Sequence, residues 1–238
     1  MITRDSLLCC LDFDATVVEG GVTYLRDFGP YDIRFPLTGA GAPAPPTRNA
    51  NGGYDFNGTT QYLESTAGST ARFWSAWPPG HAEFTIIAKL AWTSQVQFDA
   101  IFWCANNVPS SGIVLRHNTV ERTEMRSHIA GGGYVQDTAD VPLTGRTRTV
   151  VRSIRFTAGA PVGIWQTYDQ GTRVAQATGG TGIPVWEVNP LIFGRNGTGG
   201  LRWGGSMFYF AVLKTIPTVD EHDEIQSLLR DGRKPWCG

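Results

Sequence analysis

The sequence predicts an all-β fold, with two antiparallel sheets stacked as a sandwich and one short C-terminal helix. Three observations carry that expectation. Met207 to Leu213 is a run of aromatic and β-branched residues too continuously apolar to leave one face in water. Glycine (29 residues) and proline (14) are abundant, as expected where many short strands are joined by turns. Complete helix start and stop signals occur in one stretch only, against about a dozen strand-like runs. The 238 residues fit one large domain spanning 1–238, and a chain of this size buries roughly 70% of its extended surface.

In chain order, Ser6 to Asp14 is a first strand, with Leu7, Leu8, Cys9, Cys10, Leu11 and Phe13 running into Asp12 and Asp14. Cys9 and Cys10 point to opposite faces of that strand and cannot bridge each other. Val22 to Phe28 and Tyr31 to Leu37 are short strands around Gly29-Pro30. Residues 38–51 break the pattern. Pro43, Pro45 and Pro46, among Gly and Ala and just before Arg48, predict an extended arm suited to lie over a neighbour. The residues before the arm cannot bury a core alone, so it interrupts one domain rather than separating two.

Gly53 to Glu64 reads as a hairpin about an Asn57-Gly58 turn. Arg72 to Gly80 reads as a proline-bounded aromatic loop with Phe73, in which Trp74 and Trp77 either stand exposed for a ligand or a partner or plug one end of the sandwich. Phe84 to Trp92 is a long strand, and Asp99 to Cys104 is expected to pair with it. Gly112 to Arg116, Arg122 to Ile129 and Thr147 to Phe156 are further strands, and Ile164 to Gln176 is a hairpin about Asp169-Gln-Gly171. The chain closes with Leu191 to Asn196, a glycine-rich turn, the apolar strand, and a helix between Pro217 and Gly232. Thr218 and Glu221 form a capping-box pattern, Ile225, Leu228 and Leu229 form one stripe, and Gly232 is a left-handed stop.

Four of these segments, 53–64, 84–92, 164–176 and 191–229, resemble laminin-G-like domains of the concanavalin A-like lectin/glucanase superfamily. The likeness extends over roughly residues 6 to 231. It implies a jelly roll, a fold shared by lectins, glycosidases, adhesion modules and viral structural proteins. Gln61 stands where the family usually has an acidic residue, which argues against borrowing a metal role for that position.

Composition excludes several functions. A net charge of -1 gives no electrostatic footprint for nucleic acid. No apolar run approaches a membrane span and the N-terminus lacks a secretory pattern. Cys9, Cys10, Cys104 and Cys237 have no zinc spacing and read as reduced, apolar side chains of a protein made in a cytoplasm.

The sites follow the same reasoning. A retaining glycosidase on this fold needs two carboxylates about 5 Å apart on one strand. The nearest acidic string, Glu221-His-Asp-Glu224, lies on the helix, where Glu221 and Asp223 diverge. His81, His117, His128 and His222 are scattered, and Ser206 lacks a nucleophile elbow. Calcium is the one cofactor the resemblance would allow. Asp12, Asp14, Asp55, Asp99, Asp137 and Asp140 are available, but no loop gathers three acids, so no metal is expected.

The absence of a catalytic pair points to a non-enzymatic protein. Together with the resemblance it suggests a bacteriophage capsid decoration (cement) protein in the virion, binding the major capsid protein and copies of itself. Trp74, Trp77 and Phe73 serve there as interface anchors, with the arm residues Pro43, Pro45, Pro46 and Arg48. The alternative is a carbohydrate-binding module, for example tail-associated, with the same aromatic side chains stacking on a glycan.

Overall fold

The computed structural model describes residues 3–39, 44–77, 83–92, 100–107, 110–119, 122–128, 134–140, 147–155, 162–168, 173–178, 188–197, 200 and 202–237. The chain begins with β1 (Leu7–Glu19), β2 (Val22–Asp27), β3 (Phe35–Pro36), β4 (Thr47–Asn49), β5 (Gly53–Asn57) and β6 (Leu63–Glu64). Helix α1 (Ala67–Ala76) precedes β7 (Glu83–Trp92), β8 (Ala100–Asn107), β9 (Ser110–Thr119), β10 (Arg122–His128) and β11 (Tyr134–Asp140). Then come β12 (Thr147–Arg155), β13 (Val162–Tyr168), β14 (Arg173–Thr178), β15 (Ile192–Phe193), β16 (Gly204–Leu213) and α2 (Val219–Arg230). The chain is therefore all-β, and every strand pairing is antiparallel.

One ten-stranded sheet runs β14-β13-β12-β7-β16-β1-β2-β3, with β5 and β4 added beside β16; a six-stranded sheet runs β11-β10-β9-β8-β15-β6. Their inner faces meet around Phe193 of β15. Its ring lies 4.8 Å from Phe210, 5.2 Å from Phe35 and Phe102, and 5.6 Å from Phe13, so one side chain bridges the two sheets. Such ring pairs add about 0.5–1.5 kcal/mol each beyond burial. Gly194 follows with φ +85°, and a Cβ there would sit 2.5 Å from the Phe56 ring, so glycine is required.

β16 is buried on both faces, as its unbroken apolar run predicts. Met207, Phe210 and Val212 join the core between the sheets; Tyr209, Ala211 and Leu213 face outward under α2. Phe208 is only half-buried, because the β16–β7 register slips between Met207 and Tyr209. A bulge of this kind sets two consecutive residues on the same face. In β1, Cys9 faces the inner core and Cys10 the outer cluster, as strand alternation requires.

α2 has the termini its sequence predicts. Thr218 and Glu221 form a full capping box. At the other end Gly232 N–H donates to Leu229 O and Arg233 N–H to Leu228 O, with Gly232 at φ +77°, the pattern of a Schellman stop. The buried face is His222, Ile225, Gln226 and Leu229, so the stripe is rotated and Leu228 lies at its margin.

Several expectations are corrected. Residues 53–64 are not a hairpin: β5 pairs with β16 in one sheet and β6 with β15 in the other. The Asn57-Gly58 turn is present, with Asn57 Oδ1 accepting N–H bonds from Thr59, Thr60 and Gln61, but it carries the chain between sheets. β8 does not pair with β7; it lies between β9 and β15 in the six-stranded sheet. The 31–37 strand shrinks to Phe35–Pro36, because the half-buried Asp27 holds the preceding loop through its carboxylate. Its oxygens accept N–H bonds from Cys10, Gly29 and Ile33, each at 2.8 Å. The 164–176 hairpin is found as β13 and β14, whereas β11 has no counterpart in the sequence reading.

Candidate functional site

The aromatic residues read as a loop lie on α1 and its C-terminal cap, Trp77, and point inward. Thr66 caps that helix by accepting the Ser69 N–H. Phe73, Trp74 and Trp77 follow at helical spacing on its buried side, where the Trp77 side chain is fully covered. Trp77 packs edge-on against Phe84 at 5.0 Å and stacks on Trp74 at 6.2 Å, and Trp74 Nε1–H donates to Asn189 O at 2.8 Å. These rings plug one end of the core and present no stacking platform to a ligand.

The arm also folds back. Thr47–Asn49 is the edge strand β4 on β5, Pro46 is buried, and Pro45 is exposed. Arg48 forms an ion pair with Asp14 on β1, Tyr62 N–H donates to Ala44 O, and Gln61 Nε2 donates to Thr47 Oγ1. From residue 44 onward the segment is part of the fold rather than a free strap; Pro43 lies outside the described residues.

The acidic candidates that are described serve as tie points. Asp12 binds Lys234, Asp14 binds Arg48, and Asp55 accepts from Asn49 and Ser206. Asp99 and the side chains of Asp137 and Asp140 lie outside the described residues. Among the described residues no three His, Cys, Asp or Glu side chains gather as a metal site. Glu221, whose carboxyl is held below the ordinary range chiefly by the Thr218 N–H, is committed to the capping box.

A cleft that sequence reasoning did not identify opens on the outer face of the ten-stranded sheet, beside the C-terminal end of α2. Its cavity measures about 380 Å³ and is lined by Asn51, Lys89, Thr147, Phe208, Arg230 and Lys234 among others. Each element contributes for a local reason. The bulge in β16 turns the Phe208 ring outward beside Tyr209. Gly52, at φ +77°, turns the chain between β4 and β5 and brings Asn51 to the rim. The Schellman stop brings Arg230 and the following tail to the opposite rim.

Three cations and no carboxylate line this cleft among the described residues. Two neighbours temper the positive field: Lys89 donates to Leu229 O at the negative end of α2, and Lys234 pairs with Asp12. Arg230, 3.8 Å from Asp231 and donating to Ser227 Oγ at 3.4 Å, is largely exposed. A half-buried ring beside amide, hydroxyl and cationic groups suits a small polar ligand, and the volume lies at the small end of ligand pockets.

No family model matches the sequence, and no curated protein matches it. Solved structures do match. The receptor binding domain of botulinum neurotoxin C/D mosaic serotype superposes with a TM-score of 0.64 at 10% identity, covering 94% of this chain and 52% of that one. The binding domain of botulinum neurotoxin serotype D gives 0.64 at 9% identity, covering 94% and 51%. The binding domain of serotype G gives 0.64 at 8% identity, covering 94% and 51%. At such identities the likeness is one of fold, and this chain spans about half the length of those domains.

Proposed function

We propose that this chain is a non-enzymatic recognition domain, a laminin-G-like jelly roll that holds an acidic saccharide in the cleft beside α2. One observation carries the reading: a half-buried aromatic ring set by a bulge into a cleft that is lined by cations. A pyranose lays its apolar C–H face on such a ring, its hydroxyls meet Asn51 and Thr147, and a carboxylate or sulfate meets Arg230 and Lys89. A recognition role is in keeping with the neurotoxin neighbours, one a receptor binding domain and two binding domains. Among the described residues a non-enzymatic role is supported by acids already engaged elsewhere, since Glu221 caps the far end of α2 and Asp12 is tied to Lys234.

The test is an array of neutral, uronate-bearing and sulfated saccharides probed with the purified chain. Binding restricted to acidic saccharides, weakened at least about tenfold by Phe208→Ala with cooperative unfolding retained, is expected. A silent array would overturn the reading. So would cleavage of a polysaccharide at a rate abolished by one acidic substitution.

The second reading, a bacteriophage decoration protein on the major capsid protein, is favoured by a different observation. Val18, near the tip of the β1–β2 hairpin, is 66% exposed beside the paired left-handed Gly20 and Gly21. An apolar side chain on an exposed hairpin suits burial against a neighbouring subunit. Cross-linking in intact virions tests it: adducts from the hairpin to capsid protein support decoration, whereas a chain absent from the particle overturns it.

A further inference from the structure

Cys10 and Cys237 stand 227 positions apart, yet their Sγ atoms lie 3.1 Å from each other. That is about 1 Å beyond a bonded sulfur pair. Cys10 sits on β1 in the outer cluster, fully buried; Cys237, in the tail after α2, is partly exposed.

The tail is held in that place by several independent contacts. Tyr209 Oη donates to Pro235 O at 3.1 Å, the Arg4 guanidinium donates to Trp236 O at 3.1 Å, and Lys234 pairs with Asp12. Trp236 takes φ +63°, a left-handed backbone that a bulky residue adopts only when its surroundings hold it there. The meeting of the two thiols is thus built by the fold rather than made by a drifting chain end. The other two thiols differ: Cys9 and Cys104 are fully buried in the core between the sheets.

We propose that Cys10 and Cys237 are a cross-linking pair, which a small-molecule disulfide such as oxidised glutathione converts into an intramolecular disulfide. The Cys237 thiolate, the one with access to solvent, attacks a sulfur of the oxidant and displaces one thiolate. The Cys10 thiolate then attacks Cys237 Sγ and displaces the second. One S–S bond forms as the oxidant's S–S bond breaks, two electrons pass to the oxidant, and the two thiol protons end on the two released thiols. The hydrogen bond shared with Cys10, and then burial, hold the Cys237 thiol up, so the exchange proceeds slowly. The product joins β1 to the segment after α2 and fixes the stretch that carries Lys234 along the cleft, whatever the cleft binds.

The experiment incubates the purified chain with oxidised glutathione or with a reducing dithiol, then counts thiols and maps peptides under denaturing conditions. The expected result is a fall from four free thiols to two, a mass lower by two hydrogens, and a linked Cys10–Cys237 peptide. Because the closed loop is nearly the whole chain, a melting temperature higher by roughly 5 °C or more should accompany it. Cys237→Ser should fold and show neither change. Persistence of four thiols, a glutathione adduct left on Cys237, or a bridge through Cys9, Cys104 or a second chain would each overturn the proposal.

Discussion

Asp27 shows how one side chain can decide a segment's conformation. Burial pushes its carboxyl up from the ordinary value, while the N–H donors of Cys10, Ile33 and Gly29 pull it partway back. A carboxyl whose folded pKa is raised binds its proton more tightly in the folded state. Its contribution is then fully present below the unfolded value and is lost as pH rises through the folded one. Denaturant unfolding at a series of pH values should therefore contain a component that declines above the ordinary aspartate range and disappears in Asp27→Asn. That variant should also lose about 1–3 kcal/mol at neutral pH, since its amide nitrogen would face the Ile33 N–H donor. A variant equal in stability to wild type would show that the loop does not depend on this acceptor. Phe210 and Phe208 differ in the same way, by environment rather than by type. A charge at Phe210, which is fully buried between the sheets, should abolish cooperative folding, whereas Phe208→Asp should leave a folded protein because its ring reaches the cleft. Thermal unfolding followed by circular dichroism separates the two outcomes.

Among the elements, those specified by local chemistry were legible in the sequence, and those specified by distant partners were not. α2 announces itself through Thr218, Glu221 and Gly232 because caps lie within a few residues of what they satisfy. β16 is legible because both its faces are buried. α1 was missed although Thr66 is a capping residue and Phe73, Trp74 and Trp77 have helical spacing. The stripe covers barely one turn and runs into Pro78-Pro79, so the loop-like composition outweighed it. Asn57-Gly58 was legible as a turn, but whether the chain returns to its own sheet or crosses depends on β15, some 130 residues on, which offers its edge to β6. The role of α1 gives a test: Trp77→Ala, removing a fully buried ring packed on Phe84, should cost about 3–5 kcal/mol in a chemical denaturation curve. A loss below about 1 kcal/mol would mean that the helix is an appendage rather than part of the core.

For the molecule as a whole, the expectation of an all-β chain of antiparallel strands holds, and the fold is shared with domains whose sequences are at most 10% identical among those compared. The cleft could not be found from sequence, because Asn51, Lys89, Thr147, Phe208 and Arg230 come from separate elements and the bulge that aims Phe208 has no sequence signature of its own. The arm and the tryptophans looked like features for reaching outward, yet both close the body of the domain on itself. What faces outward is a cleft and a hairpin.

The hydrogen bond from Arg4 to the Trp236 carbonyl joins positions 232 apart in sequence. Where two segments so far apart in sequence meet at one spot, the stretch between them can be re-ordered without rerouting any strand. A circular permutant joined across that seam by a short glycine-serine bridge and opened at Gly20-Gly21 should reproduce the parent's circular dichroism and unfold cooperatively. An insoluble or molten product would show that β1 and β2 must enter the sheet as one connected piece.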